Sequence, residues 1–361
     1  MIKRVVPAMI VWMAAAPVAA QSGATGGPRT LKWSIEVHGG ANAPTNPSGG
    51  TSALPPPGVT FSTLVGRDSR RVPSWYFGDG ASLLNQIAQS LFTSARITPL
   101  DDFARAPIAR RRTGASVGAR LTRTLSPRFS VELAVDYHAA PLRLRDDATS
   151  AVEPTRASFV TAWNAILATG PFFAPLVTSK TTPSGGRGGQ YVTTGVLNVA
   201  LMTGRRTTPY ASVGAGMISA RSSAQPRVDL IGNYQFQILG VVPINETDSI
   251  HIRADTSAHR AAAVIGGGVE FAASPRWGIR VDARDLLSGN RTSTRLDAAP
   301  SVTMGTPVFT IASLTTPSLQ FSTASGATST LSGSAIQGFQ TFKGTGIRHD
   351  VSIAGGVFWR F

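Results

Sequence analysis

Residues 346–361 read Gly-Ile-Arg-His-Asp-Val-Ser-Ile-Ala-Gly-Gly-Val-Phe-Trp-Arg-Phe, and the sequence stops there. In a strand, successive side chains point to opposite faces, so the stretch divides into two sets. Ile347, Val351, Ile353, Val357, Trp359 and Phe361 share one face, apolar and ending in aromatics. Arg348, Asp350, Ser352, Ala354, Gly356 and Arg360 share the other, polar or small. A half-buried strand with one apolar face needs a partner surface, and the rest of the chain supplies it.

Seven further segments alternate in the same way. Residues 31–40 set Leu31, Trp33, Ile35 and Val37 against Lys32, Ser34, Glu36 and His38. Residues 112–125, 129–138, 191–202, 209–221, 259–273 and 277–287 follow the same period, most cleanly in Phe129, Val131, Leu133, Val135 and Tyr137. Ser126-Pro127-Arg128 and Ser274-Pro275-Arg276 are matching tight-turn triplets, each followed by an aromatic, and Gly204-Arg205-Arg206 forms a third short turn. The connections alternate strictly between long and short. The long ones cover about 41–109, 145–189, 222–257 and 288–345. Two of them carry helical spacing: residues 79–93, with Leu83, Leu84, Ile87, Leu91 and Phe92 and a cap expected at Asp79 or Ser82, and residues 154–169, with Phe159, Trp163, Ile166 and Leu167 on one face. Strand-like pieces at 234–242 and 250–254 are placed to extend a hairpin.

Composition narrows the setting. Lys3 and Arg4, an apolar run over 5–16 and the small residues Val18-Ala19-Ala20 form a secretory signal pattern over 1–20, followed by a Gly/Ser/Thr/Pro leader over 21–30. There is no Cys, so the fold rests on packing and sheet ladders, not on disulfides. The net charge of +15 comes almost wholly from Arg, since Lys occurs only at 3, 32, 180 and 343. In an exported chain this charge points to anionic lipid phosphate, not nucleic acid, and guanidinium pairs bidentately with phosphate.

An even number of strands, short turns at one end and long loops at the other match transmembrane β-barrels. Aromatics gather at the turn end: Trp33, Phe129, Tyr210, Phe271, Trp277, Trp359 and Phe361. The closing Trp359–Phe361 ending and the hairpin Gly266-Gly-Gly-Val-Glu-Phe through Asp285 resemble the eight-stranded outer-membrane barrel family of the OmpA transmembrane-domain type. The resemblance covers the strands, about a third of the chain, and departs from two-domain members in that no peptidoglycan-binding domain follows. It implies an all-β, eight-stranded antiparallel barrel over 31–361 with both termini periplasmic. It also implies that barrel-assembly machinery reads Val357, Trp359 and Phe361.

The polar strand faces would line the lumen with Glu36, Arg120, Glu132, Asp136, Glu270, Arg280, Asp282, Arg284, Arg348, Asp350 and Arg360. Both signs are present, so an ion-pair plug is expected, because a barrel of this size is filled by side chains. Arg110, Arg111, Arg112, Arg143, Arg145, Arg221 and Arg260 fall at the loop-end rim and would form a collar for lipopolysaccharide phosphate. His38 and His138 have no Ser within reach along their own strand, so no catalytic residue, metal site or cofactor is assigned. The expected role is a non-enzymatic structural or surface-interaction protein. A narrow pore for small solutes is the first alternative and a lipid A-modifying enzyme the second.

Overall fold

A computed structural model describes residues 32–46, 49–57, 60–62, 68–169, 172–203, 205–238, 242–304, 319–321 and 335–361. The signal pattern over 1–20, the leader over 21–30 and Leu31 lie outside the described residues.

Eight strands carry the alternating segments: β1 (Trp33–Pro44), β2 (Gly114–Thr124), β3 (Phe129–His138), β4 (Arg187–Ala200), β5 (Thr207–Ala224), β6 (His259–Ala272), β7 (Trp277–Gly289) and β8 (Ile347–Arg360). Each pairs antiparallel with its neighbours in sequence, and β8 pairs with β1, closing the ring. The closure runs Ser34 opposite Arg360 through Pro44 opposite Asp350. Beyond it, Trp33 and Phe361 exchange backbone hydrogen bonds of 3.2 and 2.8 Å. A closed ring leaves no unpaired edge.

The period of two sorts the side chains as read from the sequence. Ile35, Val37, Val117, Leu133, Val213, Ile279, Ile353 and Val357 stand on the outer surface of the ring and are exposed. Their neighbours in sequence turn inward and are buried. Ser126 and Ser274 hold their turns identically, each hydroxyl accepting the N–H groups two and three residues on. Six of the seven aromatics assigned to the turn end stand on the outer surface, but Tyr210 does not. It occupies an inward register position on β5 and is buried at 5% exposure. Its even number on a strand whose odd residues face outward decides this.

The described parts of the long connections form regular structure. A second sheet is built from strands outside the ring, ordered Gly50–Ser52, Ile336–Gly344, Thr292–Ala298, Val242–Thr256, Arg227–Ile238 and Phe172–Ser184, with Ser301–Met304 also paired to Val242–Thr256. The piece expected at 250–254 and residues 234–238 and 242 of the other belong to this sheet, in longer strands, while residues 239–241 lie outside the described residues. The strands at 172–184, 292–298 and 336–344 carry no clean alternation of apolar residues and escape a reading by period.

Among the described residues, three helices complete the loop end: α1 (Gly78–Ser90), α2 (Asp101–Ala104) and α3 (Ala148–Thr169). α3 begins before Pro154, which sits inside it. Phe159, Trp163, Ile166 and Leu167 are buried as expected, against the even-numbered face of the second sheet, where Leu230, Tyr234, Ile250 and Ile252 lie. Trp163 stacks on Tyr234 at 3.9 Å and Tyr76 on Phe159 at 4.6 Å. The helix faces, unstable alone, are stabilised by this sheet. The cap of α1 differs from expectation. Phe77 is the N-cap residue, and Asp101 Oδ1 accepts the Gly78 N–H at 2.8 Å from the start of α2. Phe92 leaves the apolar face at φ 56° and is fully exposed.

Candidate functional site

The lumen is built from inward positions on all eight strands. Glu132 (β3) is its centre and is wholly buried. It accepts hydrogen bonds from Arg284 at 2.6 Å and Asn198 (β4) at 3.1 Å, and ion-pairs with Arg280 at 2.8 Å and Arg120 (β2) at 3.7 Å. Asp282 (β7) pairs with Arg120 and with Arg284 at 3.2 Å, and accepts the Tyr210 (β5) hydroxyl at 3.0 Å. Glu36 (β1) receives Arg120 at 3.1 Å and Arg280 at 3.4 Å. Glu270 (β6) joins Arg280 at 3.7 Å to Arg360 (β8) at 3.2 Å. Four arginines face four carboxylates, so the layer is neutral. A buried charge without a partner is costly, and mutual pairing removes that cost.

Inward glycines make the room. A Cβ at Gly118 would stand 2.2 Å from Asp136 Oδ1 and 2.8 Å from His38 Nε2. That glycine lets His38 on β1 bond Asp136 on β3 across the strand between them. A Cβ at Gly268 would meet Asp282 and the Tyr210 hydroxyl.

Above the ion-pair layer, His38, Ser116, Asp136 and His138 border a cavity of about 10 Å³ together with Thr194 and Arg284. That is space for about one water. An apolar cluster of Val192, Val196, Ile218, Ala262, Val264 and Leu286 fills the other inward positions. His38 and His138 are therefore buried, not solvated rim residues. Ser116 lies directly opposite His138 in the β2–β3 register, a cross-strand neighbour that spacing along one strand does not reveal. The cavity that these groups share has no room for a lipid. Among the described residues no group of three or more acidic or His side chains is placed to hold a metal ion.

Arg348 and Asp350, expected in the same network, lie apart from it at the loop end. Asp350 accepts from Gln190 at 2.6 Å and from Asn42 at 3.2 Å. Gln190 in turn accepts from Arg260 at 3.1 Å. Arg111 donates to the Ala140 carbonyl at 3.0 Å. Arg111, Arg260 and Arg348 are each at least nine-tenths buried. This divides the expected collar. Arg260 points inward beside Arg348 because it occupies an inward register position on β6. Arg111, in the short strand Ala109–Arg111 that precedes β2 and pairs with Leu142–Leu144, is buried beside them. Arg110, Arg112, Arg143 and Arg221 are exposed, and Arg145 is half-buried. Arg112 pairs with Asp146, and Arg145 pairs with Asp147 at 2.9 Å. Arg221 lies beside Tyr137 and Tyr191, whose rings are 5.2 Å apart.

An apolar outer surface around a closed antiparallel ring, with a charged and paired interior, is the arrangement that a bilayer requires of strands. The chain is a closed eight-stranded antiparallel barrel of the transmembrane type.

No family model matches this barrel, and no curated protein sequence matches it. Solved structures similar to it include the outer membrane protein OprG from Pseudomonas aeruginosa, at 9% identity over 92% of this chain and 97% of that one, TM-score 0.34. The outer membrane protease OmpT from Escherichia coli matches at 8% identity over 92% and 98%, TM-score 0.31. The CymD monoaromatic hydrocarbon channel matches at 7% identity over 92% and 88%, TM-score 0.19. The barrel assignment rests on the chain's own strand pairing. No family model supports the narrower OmpA kinship drawn from the closing hairpin. The exclusion of enzyme activity drawn from the sequence is corrected, since the matching chains include a protease and the fold does not rule catalysis out.

Proposed function

We propose that the protein spans the outer membrane with its termini and short turns in the periplasm, and that it acts through the sheet-and-helix region at its loop end, held outside the cell. The observation that carries this reading is the neutral ion-pair layer that fills the lumen with buried, paired side chains and is tied to the remaining strands by Asn198 and Tyr210. The loop-end region supports it by having an aromatic core of its own. Loops on a rigid scaffold are where binding residues usually lie. Bilayer lipid contacts the apolar ring. Lipopolysaccharide phosphate is the partner proposed for the exposed arginines, above all Arg221, which stands beside Tyr137 and Tyr191 on the outer surface. The terminal Val357, Trp359 and Phe361, all exposed on that surface, are proposed as the signal for barrel assembly.

Planar-bilayer recording on the full chain tests the closed lumen. The expected result is no sustained conductance at moderate voltage. A steady open level at neutral pH and moderate salt would reject it.

A further inference from the structure

The two charged layers of the lumen differ in balance. Around Glu132 the charges cancel. At the loop end, Arg111, Arg260 and Arg348 are in electrostatic reach of one another and share one carboxylate, Asp350. Asp350 is itself occupied by Gln190 and Asn42, and among the described residues none of the three arginines is in ion-pair contact with a carboxylate. Arg111 Nε, Arg260 Nε, and both Nε and Nη2 of Arg348 lack any hydrogen-bond acceptor. Buried guanidinium donors without acceptors are costly, and an interior usually avoids them.

Arg348 is 3% exposed, yet it lines a cavity of about 200 Å³. Arg110 and Arg145 line the same cavity, with Asn46, Asn290 and Thr292 as further polar groups. Asp147 engages Arg145. Counting both carboxylates, five arginines meet two acids. Backbone and side-chain bonds fix the setting. Asn46 Oδ1 accepts the Arg111 N–H at 2.9 Å and Asn46 Nδ2 donates to the Arg111 carbonyl at 3.0 Å, tying β1's continuation to the wall of the cavity.

We propose that this cavity binds an oxyanion, a phosphate group or a small carboxylate, with Arg348 as the principal donor, Arg110 and Arg145 at its sides, and Arg111 and Arg260 supplying the field from behind. Planar guanidinium forks match such oxyanions and hold full charge at any physiological pH. The site is separate from Arg221 on the outer surface, and it does not depend on whether the loop end faces the cell exterior. The anion has two possible sources, a free solute or a lipid headgroup phosphate.

The test uses the full chain, refolded in detergent without lipopolysaccharide, with inorganic phosphate as probe and chloride as control. Isothermal titration and thermal unfolding are the readouts, and heat-modifiable gel mobility verifies the folded barrel. Saturable phosphate binding that also raises the unfolding temperature is expected. Arg348→Gln should weaken it about tenfold or more, the loss of a charge-assisted contact. The same variant should unfold at a higher temperature than the parent in phosphate-free buffer, because it removes a buried charge with no partner. Arg110→Gln, at an exposed position where folding is not in question, should weaken binding to a lesser degree. Purified lipopolysaccharide forms the second arm: binding that is Arg348-dependent and competed by phosphate would assign the oxyanion to a headgroup. Absence of saturable binding to both probes, or equal binding by the parent and Arg348→Gln, would overturn the proposal.

Discussion

Glu132 shows how one residue can hold a transmembrane interior together. It is wholly buried, accepts hydrogen bonds from Arg284 on β7 across the ring and from Asn198 on the neighbouring β4, and ion-pairs with Arg280, also on β7. Replacing it with Ala leaves Arg280 and Arg284 without their shortest carboxylate contacts. Breaking one partner out of a buried ionic cluster costs about 3–5 kcal/mol. We therefore expect Glu132→Ala to lower barrel stability by about that amount in urea unfolding from detergent. Its combination with Arg280→Met should recover part of the loss, because the second change removes one of the stranded charges. A simple additive loss in the double variant would contradict the network.

At the scale of elements, the second sheet carries an acidic pair where its packing face should be apolar. Glu246 and Asp248 lie on the same strand and on the face covered by α3. Burial pushes Glu246 up to about 8, with repulsion from Asp248 adding to it. Burial raises Asp248 to about 7, against the opposing pull of hydrogen bonds from Trp75 N–H at 2.7 Å and Ser74 Oγ at 2.9 Å. Both folded values lie above those of the unfolded chain, so the folded sheet keeps protons that the unfolded chain releases. Stability is then fully present below about pH 4 and declines as pH rises toward 7–8, by up to about 1.4 kcal/mol per pH unit per group. Tryptophan fluorescence from Trp75 and Trp163 should report loosening of the sheet between pH 5 and 8.5. Glu246→Gln should flatten much of that slope and raise stability at the alkaline end. An unchanged slope would show that this pair does not govern it.

At the scale of the whole molecule, the ring is closed by its last strand. Phe361 donates one backbone hydrogen bond to Trp33, accepts another from it, and adds an exposed aromatic at the turn end. Deleting Phe361 removes the final pairing of β8 with β1 but no lumen charge. Folding into lipid vesicles, followed by gel mobility, should become several-fold slower while the end state keeps the ion-pair layer. Unaltered kinetics would remove Phe361 from the assembly step.

The ring was legible because period-two alternation between lipid and lumen is local. Val357, Trp359 and Phe361, or Val131 and Leu133, need only their neighbours in sequence to declare a face. The signs of the inward residues were equally legible, and pairing among Glu36, Arg120, Glu132 and Arg280 follows once the ring closes. What alternation left undetermined was everything set across strands. Gly118 as a passage between His38 and Asp136, Tyr210 turned into the lumen, and Asp101 capping α1 from α2 all depend on register or packing between distant segments. The second sheet stayed hidden because its strands at 172–184, 292–298 and 336–344 bury too few regularly spaced apolar residues to mark a face. The arginines show the division most clearly. Their number and their place near the loop end belong to the sequence, but only the closed ring decides that Arg260 and Arg348 turn inward around one acid while Arg221 turns out, and only the packing of the ribbon before β2 buries Arg111 beside them.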